Sequence, residues 1–321
     1  MPRTPSKQMM KAALICIVLL LTACTTIPSP ETSARPVKDE RAEKLSRQKE
    51  AVVRFFEPMV LHDGDWLVSQ REAGETFEEY LASNPTLPTP ERRTIYIQPI
   101  GKFTTQQKRA VSLSAEYMKV FYSLPVKLND VIPLGDVPAG KQRKIEYRNN
   151  LQIRTAYFLD DVLPKILPDD AAALIAFTNY DLYPGDTWSF VFGQATFSER
   201  VGVYSLYRLS DISFGHKSEK DRLLTRTLKI AMHETGHMFS MKHCIKYECL
   251  MSGTNHLAET DRRPLDNCPE CMAKLAWAMN YDPVERYLNL ADFWEKNERQ
   301  SEAKLFREKA RAVGNKKLSS L

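Results

Sequence analysis

The chain has 321 residues, 43% apolar and 26% charged, which excludes a collagen-like or predominantly disordered protein and suits one large or two modest domains. Its 45 Lys and Arg against 40 Asp and Glu give +5; Arg3, Lys7 and Lys11 supply three of those charges, and the remainder is too nearly neutral to bind nucleic acid through bulk charge. Of six cysteines, Cys16 and Cys24 stand near the start, while Cys244, Cys249, Cys268 and Cys271 crowd beside three of the six histidines, which scattered small apolar residues would not do.

Residues 1–11 carry three positive charges and no acid, and Ala12 to Leu21 is an apolar run shorter than the roughly 20 residues that span a bilayer. The pattern is that of an export signal. It ends in Leu21-Thr22-Ala23-Cys24, which resembles the bacterial lipobox. That resemblance implies a signal peptide over 1–23, acylation of Cys24, and a lipid anchor in the bacterial cell envelope; Thr25 in place of Asp points to the periplasmic face of the outer membrane. The alternative is a plain signal peptide with an incidental cysteine. Residues 24–37, rich in Thr, Ser and Pro, read as a tether.

Lys38 to Val60 has helical spacing, with Ala51, Val52, Phe55 and Phe56 as its apolar members. Arg93 to Ile100 alternates as a strand and is stopped by Gly101, and Thr104 to Tyr122 is helical. Ala156 to Ile166 reads as a helix, Ala172 to Thr178 as a buried strand, and Thr187 to Phe192 and Val201 to Leu209 as alternating strands. Strands interleaved with helices predict an α/β fold, a sheet with helices packed on it. Beyond residue 271 the pattern is helical: Asp282-Pro283 is a helix start, and the charged stretch Ala291 to Val313 reads as a solvated helical pair, a C-terminal extension over 281–321.

Ser218 to Met241 is the longest helical pattern, with Ser218 and Asp221 placed as in a capping box. It contains His233-Glu234-Thr235-Gly236-His237. Residues four apart leave one helical face, so both imidazoles can hold one zinc ion, while Glu234 points beside it and can take a proton from a water on that metal. His243, six residues after His237, supplies a third imidazole from the chain leaving the helix. Three histidines leave the fourth coordination place that a catalytic site needs. His256 is a competitor for third ligand; His62 and His216 read as surface or packed histidines. Cys244, Cys249, Cys268 and Cys271 are spaced for a closed, structural Cys₄ zinc site that would pin the loop of His243. In an oxidising envelope two disulfides are the rival arrangement.

The run His233, Glu234, His237, His243, Cys244, Cys249, Met251, Cys268 and Cys271 resembles, in order, the pattern of the archaemetzincins, or archaelysins, zinc peptidases of the metzincin clan. The likeness extends upstream through Tyr180 to Gly185, Phe190 to Ala195 and Arg200 to Val203, and covers about 93 to 280, most closely 172 to 275. It implies a metzincin-like α/β (α+β) fold: a twisted mixed sheet with packed helices, the zinc-binding helix among them, and a small C-terminal subdomain with the Cys₄ site. The peptidase domain is then 38–280, with its catalytic core at about 93–275. It further implies a catalytic and a structural zinc, Met251 in the turn beneath the catalytic ion, and a monomer that hydrolyses peptide bonds of peptide or protein substrates through water activated by Glu234. Phe190 to Ala195, or its neighbour Val201 to Leu209, would be the edge that receives an extended peptide. Clan members carry glycine where this chain has Ser240, at a turn that favours positive φ. The competing function is a catalytically inactive zinc-binding lipoprotein; the preferred side chains of a substrate are not legible.

Overall fold

The computed structural model describes residues 39–145, 150–209 and 220–314. Cys24, the export signal and the tether lie outside the described residues, as do His216 and Ser218. Helix α1 (Glu40–Val52) is N-capped by the Asp39 carboxylate and ends in a 3₁₀ turn, Val53–Phe55, so the helical spacing that runs to Val60 overstates it. Two short helices follow, α2 (Trp66–Ser69) and α3 (Phe77–Ala82), the latter opened by a Thr76–Glu79 capping box. Then come β1 (Thr94–Ile100), α4 (Thr105–Tyr122), β2 (Val126–Leu128), β3 (Gln142–Ile145) and β4 (Asn150–Arg154). A π-helical stretch, Tyr157–Val162, runs into α5 (Leu163–Ile166), followed by β5 (Ala171–Thr178), β6 (Asp181–Tyr183), β7 (Gly193–Ala195) and β8 (Val201–Ser205). The last five helices are α6 (Lys220–Met238), α7 (Leu257–Arg262), α8 (Pro269–Met279), α9 (Pro283–Lys296) and α10 (Gln300–Gly314).

Five strands form one mixed sheet in the order β2-β1-β5-β8-β7, parallel except for β7, which runs antiparallel to β8. A second sheet, β3-β4-β6, is smaller. Alternation in β1 does not separate a buried from a wet face, because both are covered. Ile95 and Ile97 join the core that holds α4 and α6, while Tyr96 and Ile100 join a second cluster with Phe158 and Leu163. Burial on both faces is the rule for parallel strands overlaid by helices.

Two strand expectations are corrected. Thr187 to Phe192 is not a strand: Trp188 N closes a turn onto Gly185 O, a single bridge joins Leu182 and Val191, and the ladder starts only at Gly193. Pairing of Val201 to Leu209 stops at Ser205. The C-terminal helices also differ from a solvated pair. Tyr287, Leu290, Trp294 and Phe306 belong to the main core, and buried Asp266 takes Arg286 and Lys309 as partners at 3.2 and 2.9 Å.

Candidate metal centre

Helix α6 buries Leu223, Leu228, Ala231 and Met232 in the core, which fixes its rotation. Its opposite side, Lys229, Ile230, His233, Glu234 and His237, lines a cleft of about 930 Å³. Edge strand β7 forms another wall, with Trp66, Trp188 and Phe197 nearby.

Each histidine is oriented through its Nδ1. His233 Nδ1 donates to Leu250 O at 2.9 Å and His237 Nδ1 to Met241 O at 2.7 Å. His243 Nδ1 donates to both oxygens of Glu72, at 2.9 and 3.0 Å. Carbonyl and carboxylate oxygens accept, so the Nδ1 atoms carry ring protons and leave the Nε2 atoms turned toward one another. The Nε2 atoms of His233 and His237 are 3.0 Å apart, and the ligating atoms of all three rings lie within 4.8 Å of one another. Burial pushes His233 down to about 3 and His237 well below its usual range, so no shared proton relieves the facing lone pairs at neutral pH. A cation between them would, and three imidazoles are a donor set that suits zinc.

The chain reaches His243 through Ser240, which adopts φ 62°, the left-handed region that favours glycine at such a turn. Its hydroxyl donates to Phe197 O and accepts from Thr86 N, both at 2.9 Å. Met251 lies under α6, and its sulfur would be 2.6 Å from a Cβ at Gly236, so a side chain there would displace the thioether. His256 is elsewhere, capping α7 through Nδ1, and His62 is exposed.

Glu234 stands in the cleft, 6% exposed, and burial pushes its carboxyl up to about 8. Gly193 presses on it: a Cβ at that position would be 2.5 Å from Oε1 of Glu234. Below the loop, Cys244, Cys249, Cys268 and Cys271 are buried free thiols whose sulfurs lie within 4.8 Å of one another, Cys244 and Cys268 at 3.5 Å. Backbone N–H groups of Met251 and Cys268 point at Cys249 Sγ, at 3.4 and 3.2 Å. Four sulfurs about 2.3 Å from one centre would stand slightly under 4 Å apart, so the cluster fits one tetrahedral ion. Sequence patterns missed Glu72 and Trp66, whose indole Nε1 donates to Glu72 at 3.0 Å, and gave Gly193 only as part of the Phe190 to Ala195 run. A lone acid in an aperiodic stretch carries no local signal.

Comparison with known proteins identifies the family. The model of Peptidase family M54 matches residues 147–277. Human Archaemetzincin-2 is 35% identical over a 306-residue alignment that covers 82% of this chain and 83% of that protein. The chain belongs to the archaemetzincin family. Human Archaemetzincin-1 is 29% identical over 258 residues, 70% of this chain and 51% of that one. The crystal structure of archaemetzincin from Methanopyrus kandleri is 24% identical, covers 60% of this chain and 99% of its own, and superposes with a TM-score of 0.48. As an archaemetzincin the protein is a zinc-dependent metallopeptidase of mixed α/β fold.

Proposed function

We propose that the protein hydrolyses peptide bonds at a zinc ion held by His233, His237 and His243, with Glu234 as general base, and that a second zinc is held by Cys244, Cys249, Cys268 and Cys271. The observation that carries this reading is the convergence of the three histidines in the cleft that also holds the buried Glu234 carboxyl. Zinc, when bound, supplies Lewis acidity to the scissile carbonyl and to the attacking water. Beside that ion's positive charge the buried Glu234 carboxyl would return to its ionised form, and the carboxylate would then accept the water's proton and return it to the leaving amine. Edge strand β7 offers its free side to an extended substrate by strand addition, and Gln194 is held there by the Thr155 hydroxyl. Glu72 fixes the ring of His243, and the cysteine site holds the adjacent loop through Cys244. A zinc protein without activity would have no use for a desolvated carboxylate beside three bare imidazoles.

The peptidase domain, with the C-terminal helices that share its core, is proposed to hang from acylated Cys24 by the 24–37 tether, facing the periplasm at the outer membrane. The lipobox resemblance supports that anchor, and no helix among the described residues is long and apolar enough to cross a membrane. Glu234→Gln tests the mechanism. Hydrolysis is expected to fall at least about a hundredfold while metal analysis still finds zinc at both sites; undiminished turnover by that variant would refute the assignment of the base.

A further inference from the structure

Three cationic side chains line the cleft, and two are balanced. Lys242 is 3.5 Å from Glu75, and Arg263 is paired with Glu248 and Glu259. Lys229 is not: its ammonium donates to the carbonyls of Thr260 and Asp261, each at 2.9 Å, and among the described residues no carboxylate lies within 4.0 Å of it. Asp261 is the nearest acid acting on it, but both of its oxygens are taken by Arg226, at 2.8 and 2.7 Å. An ammonium has three donors, so one donor and the charge remain for a ligand. Lys229 is 6% exposed, and leaving such a charge without an acid is unfavourable. Burial lowers its pKa to about 8, so it is still charged at neutral pH.

Its place on α6 says what the ligand is. Lys229 precedes His233 by one turn on the face that lines the cleft, a rise of about 6 Å. That is comparable to the span from a peptide carbonyl to the side-chain tip of the neighbouring residue. We propose that Lys229 anchors a substrate subsite that takes a carboxylate of the peptide, carried by an Asp or Glu side chain or by the free C-terminus. This rests on the peptidase reading above and names the class of peptide that its site takes.

The test gives the zinc-loaded full chain peptides that differ only as Asp against Asn or Glu against Gln at each position, each with a free or an amidated C-terminus, and reads product masses. The expected result is a preference of about tenfold or more in kcat/KM for an acid over its isosteric amide, the strength of a hydrogen bond to a charged group. A side-chain preference and a C-terminal preference identify the source, and Lys229→Met is expected to bring the ratio towards one. Equal rates for every isosteric pair in the wild type overturn the proposal whether or not the variant folds, and so does a ratio that survives in folded Lys229→Met. If no peptide is cleaved, the peptidase reading fails separately. The same pairs are then titrated by calorimetry into zinc-loaded Glu234→Gln, where equal affinities overturn the carboxylate site and tighter binding of the acids upholds it.

Discussion

Glu72 holds His243 through two hydrogen bonds and is itself held by Trp66. A carboxylate on the remote nitrogen of a metal-binding imidazole fixes its tautomer and raises its basicity. Glu72→Gln is therefore expected to weaken zinc binding at the histidine site by about 10–100-fold, read by chelator competition, while zinc at the cysteines stays. Gly193 makes an equally specific demand. In Gly193→Ala the new methyl would meet Glu234 at 2.5–2.8 Å, so hydrolysis should fall with the melting temperature little changed. The grouping of the three histidines and of the four cysteines was legible in the sequence because their types and spacings are those that coordination chemistry asks for. Glu72 was not, because it acts across 171 residues; Gly193 stood in the Phe190 to Ala195 run, but its contact with Glu234 was hidden because it acts through the side chain it lacks.

Among the elements, long periodic segments were legible: α4, β5 and the metal-binding helix stand within a few residues of their predicted limits. Thr187 to Phe192 misled because its aromatics alternate for another reason. Trp188 stacks on Trp66 with ring centres 5.9 Å apart, and Phe190 meets Phe192 edge-on; the side chains furnish the cleft while the backbone turns. The charged C-terminal helices misled because charge was equated with exposure. Arg286 is fully buried, donating to Phe121 O and Asp266, so Arg286→Ala should destabilise the fold by about 3–5 kcal/mol, measured by urea unfolding. Asp266 sits two residues before Cys268, and Leu250 N donates to its carbonyl at 3.2 Å; the helix pair thus braces the cysteine loop.

At the level of the molecule, the mixed α/β class followed from the alternation of strands and helices, whereas the segment between α1 and β1 showed no pattern, since it packs piece by piece onto the rest. Asp65 is one of its fasteners. Burial alone would raise its carboxyl, but hydrogen bonds from Arg262 and from the backbone of His62 outweigh that and hold it below its usual 3.8. A depressed folded value adds stability that is complete above the unfolded pKa and is lost as the pH falls through the folded one. Urea midpoints taken downward from pH 5 should therefore fall less steeply for Asp65→Asn than for the wild type; parallel slopes would show that Asp65 does not contribute.

Because Glu72 and His243 are 171 residues apart, the ring of the third imidazole is locked only by closing a very long loop, which is entropically slow to achieve. During synthesis Glu72 emerges long before His243, and the sheet and the long helix are made between them. On the proposed assignment, full metal-binding strength comes late in the life of each new chain, and hydrolytic power waits for the rest of the fold.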